Sequence, residues 1–148
     1  TERKNIMPNW TDNHVSFEGS KEKIKELKEL FASEKQVFDF NKIVPMPEDS
    51  DEFKATGSIA HDEMMKGNNW YAWSIKNWGT KWNAVDPQLD VDKDERIEYS
   101  FSTAWDAPRG VIHQIYHSGI LNDCTNVNWE CVHEYEEEVE TILSTQKT

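Results

Sequence analysis

No apolar run in these 148 residues approaches the ~18 that a membrane-crossing helix requires. Thr1-Glu-Arg-Lys-Asn5 does not have the build of a signal peptide, so a cytoplasmic location without a membrane partner is expected. Cysteine is scarce. Cys124 and Cys131 stand seven residues apart, with neither a C-x-x-C nor a Cys/His ligand pattern, and reduced thiols are expected. Basic residues are few: 16 Lys and Arg face 28 Asp and Glu, a net charge of −12. Such a balance repels phosphate backbones and excludes broad, sequence-independent nucleic-acid binding, while favouring a basic partner. The six glycines form no phosphate-cradling loop, and no serine sits in a G-x-S-x-G turn. There is neither an internal repeat nor a low-complexity linker, so residues 1–148 are read as one domain that buries roughly 68–70% of its unfolded surface.

Tryptophan is the residue in excess. Four of the seven fall within thirteen residues, Trp70 to Trp82. A cluster of such large rings is the core of a small domain, a platform for a ligand, or both.

Periodicity supplies the elements. Asn9 to Glu18 alternates as a strand, and Ser20 caps a helix through Phe31 whose apolar stripe is Ile24, Leu27, Leu30 and Phe31. Val37 to Phe40 is read as a short extended piece, and Pro45 and Pro47 then forbid a helix. Glu48 to Glu52 is an acidic surface loop, and Ile59 to Lys66 a short helix with Ser58 as cap and Gly67 as stop. A second helix, capped by Asn68 or Asn69, places Trp70, Trp73, Ser74, Asn77 and Trp78 on one face and ends at Gly79.

A strand from Lys81 to about Asp86 is expected next, then a polar hairpin loop from Asp86 to Glu95 and a return strand from Arg96 to Thr103. Asp106 is read as the N-cap of a helix with Pro108 in its first turn and Val111, Ile112, Ile115 and Tyr116 as its stripe. Asn126 to Tyr135 alternates as the last strand. Tyr135, Val139, Ile142 and Leu143 then form one face of a terminal helix, with residues 1–7 and 144–148 frayed. The resulting order is the split βαβ pattern of ferredoxin-like α+β folds, an antiparallel sheet with two helices on one face and a long insertion, about 37–80, before the second strand.

Four blocks carry a resemblance: Met7 to Asn13, Phe40 to Pro47, Asn77 to Ala84 (Asn-Trp-Gly-Thr-Lys-Trp-Asn-Ala) and Phe101 to Pro108. In this order they resemble the signature blocks of the Api92-like, YubB-type ferredoxin-like proteins of phages, plasmids and bacteria. The resemblance implies a fold and a mobile-element setting. Thr11 stands where that family commonly has cysteine, Asp106-Ala107 where it has Ser-Pro, and the glutamate-rich end where it has a glycine turn.

The chemistry-bearing patterns are sparse. His113 and His117 lie at i, i+4, a chelating spacing, yet opposite the Val111/Ile115 stripe and without a third ligand; they are expected to be surface histidines. Asp90-Val-Asp-Lys-Asp94 imitates the start of a calcium loop but has Glu95 where glycine is needed and Phe101 where the bidentate glutamate belongs. Cys131 falls on the core side of its strand, where desolvation blunts a thiol. No catalytic set, metal site or cofactor is therefore expected.

Two non-enzymatic readings follow. One is an acidic protein that binds and modulates a host or defence-system protein, using the runs 48–52 and 134–140, with Glu134, Glu136, Glu137 and Glu138 as the contact surface. The other is a nucleotide-like small-ligand binder walled by Trp70, Trp73, Trp78, Trp82 and Trp105, with Asn77, Thr80, Lys81 and Asn83 as polar contacts. An uncharacterised enzyme is the third reading.

Overall fold

A computed structural model describes residues 9–47 and 70–146 of the chain. The expected acidic loop at 48–52 and the short helix at 59–66 lie outside the described residues, as do 1–7 and 147–148. The described part is α+β: one five-stranded antiparallel sheet with helices packed on it. Its elements are β1 (Trp10–Glu18), α1 (Lys21–Phe31), a single 3-10 turn (Phe40–Lys42), α2 (Trp70–Asn77), β2 (Val85–Lys93), β3 (Arg96–Ala104), α3 (Arg109–His117), β4 (Asn126–His133) and β5 (Glu140–Gln146). The strand order is β2-β3-β1-β4-β5, so β1 sits at the centre, paired with β3 and β4 along nearly its whole length.

Alternation in the three inner strands decides where the core lies. Val15 and Phe17 of β1, Ile97, Tyr99 and Phe101 of β3, and Val127, Trp129 and Cys131 of β4 share one face. They meet Ile24, Leu27 and Phe31 of α1 and Val111, Ile112 and Ile115 of α3 in a single cluster. Phe38 and Phe40, from the segment between α1 and α2, complete it. Phe38 stacks on Phe31 at 4.7 Å and on Phe101 at 5.0 Å between ring centroids. Ser20 caps α1 as expected, accepting from the Lys23 amide at 3.1 Å.

Close approach of α2 to α3 rests on two glycines. Gly79 ends α2 with φ +85°, and a Cβ there would lie 2.9 Å from the Arg109 amide nitrogen. Gly110 donates its amide to the Trp78 carbonyl at 3.0 Å. A Cβ on Gly110 would fall 2.0 Å from the Asn77 carbonyl oxygen.

Several expectations are corrected. The strand placed at Lys81 to Asp86 is largely a series of bends, and β2 runs instead through the stretch read as a hairpin loop, returning at a tight Asp94-Glu95 turn. The stretch is polar because β2 is an edge strand with one face in water; only positions such as Leu89 turn to the core. Its carboxylates, Pro87 and two irregularities against β3 also discourage pairing with another chain. The terminal helix is β5, paired antiparallel with β4. β4 stops at His133, and Tyr135 turns outward with φ 72° and 69% exposure. Open hydrogen-bonding groups on β4 outweigh a weak helical pattern, and Ile142 and Leu143 still reach the core from the strand.

Pro108, not Asp106, occupies the cap position of α3, and Tyr116 is exposed rather than part of the buried stripe. The inward face of α2 is Tyr71 and Ser74, with Trp70 and Trp73 half-buried. Phe40, read as extended, opens the 3-10 turn, where the Asp39 carboxylate accepts the Asn41 amide at 2.9 Å.

Candidate functional site

The residues singled out around the tryptophan stretch divide into two groups. Asn77, Trp78, Thr80 and Asn83 bind the chain to itself. Trp78 is buried, donates Nε1–H to the Val44 carbonyl at 2.9 Å and packs edge-on against Phe40 and Trp73. Thr80, fully buried, donates its hydroxyl to the Ala104 carbonyl at 2.5 Å, while Asn77 bonds back to the Trp73 carbonyl. Asn83 Oδ1 accepts the Phe40 and Ala84 amides, and its Nδ2 donates to Asp39 at 2.8 Å. Although burial alone would push Asp39 up, hydrogen bonds from Asn83, Ser33 and Asn41 hold its carboxyl below the usual range.

Lys81, Trp82 and Trp105 form the second group, at the end of the sheet where β1 begins and β3 ends. The Lys81 ammonium lies 4.6 Å from the Trp82 ring centroid, 5.5 Å from Trp105 and 5.6 Å from Tyr71. Trp82 also contacts Trp10 at 5.9 Å, and Trp105 is 39% exposed with φ 76°. The cation thus lies within about 6 Å of three aromatic rings.

The glutamates of the last turn also separate. Glu134 is structural: its Oε2 accepts the Trp10 amide at 2.7 Å and its own amide donates to the Trp10 carbonyl. Glu136, Glu137 and Glu138 are exposed.

Opposite the core lies a polar face. On the three central strands it carries Asp12, His14, Ser16 and Glu18, then Arg96, Glu98, Ser100 and Ser102, then Asn126, Asn128 and Glu130. Arg96 bridges Glu18 and Glu98 at 2.6 and 2.5 Å, and His14 Nε2 meets Glu98 Oε1 at 2.9 Å. Burial opposes ionisation of Glu98, but Arg96 and His14 outweigh it and hold the carboxyl below its usual range. Beyond this network is a depression of about 430 Å³ lined by Asp12, His14, Asp86, Ser100, Ser102 and Glu130 among others. Asp86, one of its lining residues, has φ 50° and stands at the irregularity in β2. Three carboxylates and one imidazole are the ionisable side chains on the open face that line it; the Cys131 thiol faces the core.

A further cluster sits on the core side of the sheet, at the end next to α3. His133 Nδ1 is 3.0 Å from the Thr11 hydroxyl, and its Nε2 is 3.2 Å from Glu140 Oε1 and 3.8 Å from Cys131 Sγ. Arg109 ties Glu140 to Asp106, with contacts of 3.1 and 2.8 Å. The His133 hydrogen bond, then Arg109, hold Glu140 below the usual carboxylate range, whereas burial and the Glu140 charge push the Cys131 thiol up to about 11. Both effects keep the thiol protonated and unsuited to nucleophilic attack.

Sequence reasoning missed this cluster and the acidic depression. Cys131 and His133 do share a strand face by their spacing of two, but Glu140 joins them only because β5 is a strand. His113 and His117 are exposed on α3 as expected, with ring centroids 4.2 Å apart. Both cysteines are buried, and neither is in a disulfide. No helix among the described residues is long and apolar enough to cross a membrane. No protein-family model, curated protein or solved structure matches the chain.

Proposed function

We propose that this chain is a non-enzymatic binding protein, of the kind carried by phages and plasmids, that engages a basic segment of a host or defence protein on the open face of its sheet. The observation that carries the reading is the acidic depression there, lined by Asp12, Asp86 and Glu130 together with His14. A Lys- or Arg-rich segment complements such a surface, and a net charge of −12 steers it in. The strand order, with β1 and β3 inside and helices on one face, supports a ferredoxin-like fold extended by β5. The four sequence blocks support kinship with the Api92-like, YubB-type proteins. The seat of binding moves from the glutamate run to the sheet, because Glu134 is already engaged with Trp10.

The test is affinity capture from a bacterial lysate, followed by titration of the captured protein at two salt concentrations. Wild type should retain a partner with a basic segment, and retention should fall as salt rises. Asp12→Asn/Asp86→Asn/Glu130→Gln should weaken it at least about tenfold, mainly through slower association. Binding indifferent to salt and to the triple substitution would refute the reading.

The half-exposed Trp105 beside Trp82 favours nucleotide-like ligand binding as a second reading. A thermal-shift panel of nucleotides, repeated with Trp105→Ala, tests it; no stabilisation by any nucleotide would end it.

A further inference from the structure

The geometry points to a divalent transition-metal site formed by Cys131 Sγ, His133 Nε2 and Glu140 Oε1, with zinc as the ion its donor set suits. These three atoms lie within 4.8 Å of one another. Zinc held tetrahedrally at its usual bond lengths separates its nitrogen, oxygen and sulfur donors by roughly 3.3–3.6 Å. The separations found are 3.2 Å between His133 Nε2 and Glu140 Oε1, 3.8 Å between Nε2 and Sγ, and 3.9 Å between Sγ and Oε1. Shifts of a few tenths of an ångström close the site, and they fall on side chains rather than backbone.

The surroundings have the features of a metal centre. Thr11 holds Nδ1 of His133, fixing the ring with Nε2 turned to the other donors. A hydroxyl can accept from Nδ1–H as readily as it donates, so it supports the tautomer whose Nε2 lone pair is free for metal. Asp106 Oδ1, 4.0 Å from Nε2, stands outside the set of mutually close donors, so water takes the fourth position. With Cys131 as thiolate, Glu140 and Asp106 bring the negative charges to three, and Arg109 cancels one. The remaining two match a divalent ion. Cys131 is buried at the bottom, while His133 is 24% and Glu140 43% exposed, so an ion can reach the donors from solvent. Mixed sulfur and nitrogen donors favour zinc over calcium or magnesium, which take oxygen. Binding releases the Cys131 proton to solvent and replaces any proton that Nε2 shares with Glu140. The inference does not rest on the binding reading above, since the open-face carboxylates take no part in it.

Cobalt(II) titration of the full chain, followed by competition with zinc, tests the assignment. One equivalent should bind and give ligand-field bands of a tetrahedral ion with a thiolate-to-cobalt charge-transfer band. His133→Gln and Cys131→Ser should each lower affinity by more than the about 10–100-fold typical of an outer-shell loss, with Thr11→Val inside that range. Glu140→Gln, at a half-exposed position, should weaken binding in a chain whose circular dichroism is unchanged, which guards against a misfolded Cys131 variant. The pair His113→Ala/His117→Ala should bind as wild type. Absence of the thiolate band, or wild-type affinity in folded His133→Gln, would overturn the site.

Discussion

Asn13 shows how a polar residue can be fixed at the centre of an apolar sheet. It is 2% exposed, donates to Thr103 Oγ1 at 2.9 Å and accepts the Trp129 indole N–H at 3.1 Å. Replacing it with alanine strands the Trp129 donor in the core, and a loss of about 1–3 kcal/mol is expected from urea denaturation. Gly110 is held to its place by contact rather than by dihedral angle. Because an added Cβ meets the Asn77 carbonyl at 2.0 Å, Gly110→Ala should cost about 3 kcal/mol, read as a drop in Tm. An unchanged Tm would mean that α2 and α3 can move apart freely. Lys81→Met keeps the aliphatic bulk and removes only the charge over the rings. About 0.5–1 kcal/mol should be lost, together with a change in tryptophan fluorescence from Trp82 and Trp105.

Among the elements, β5 depends most on its neighbours. Its residues pair along β4, and Leu143 stands opposite Trp129 with its side chain against the core. Leu143→Ala should therefore cost about 1–2 kcal/mol in urea, less than a fully buried leucine because the site is half-open. A side chain turned to solvent would lose a few tenths at most, so a smaller loss would mean that Leu143 does not pack on the core. The elements also differ in how far their sequence announces them. α1, with a serine cap and a 3–4 spacing, and the alternating β1 and β3 are stated by local pattern alone. β2 and β5 are not, because an edge strand shows solvent its polar side and carries too little alternation to distinguish it from a loop or a helix.

At the scale of the whole molecule, acidity and stability are linked through Asp39, Glu98 and Glu140, all held below their usual pKa in the folded chain. A depressed folded-state value means full stabilisation above the unfolded-state pKa of about 4. As pH falls below that, the unfolded chain takes up protons that the folded one still refuses, and stability is lost until the folded carboxyls protonate too. Thermal melts followed by circular dichroism should hold level from neutrality to about pH 5 and fall below about pH 4, with Glu98→Gln shallower on the acid side. A Tm that rose on acidification would contradict the assignment. Repulsion among the excess carboxylates acts the other way and is relieved by acid, so added salt should raise the plateau without removing the acid limb.

Composition and spacing by themselves determined the α+β class, the central strands, α1, the stop at Gly79 and the inward position of Cys131, because each follows from a local period or a single backbone requirement. They also determined the net charge of −12. Only the tertiary structure decided the work of the tryptophans, with Trp78 and Trp129 in the core and Trp82 and Trp105 around Lys81. It alone decided that the last segment is a strand. That one choice brings Glu140 beside Cys131 and His133, and contacts between residues far apart in sequence are set by which strand edges pair, a property no local window contains.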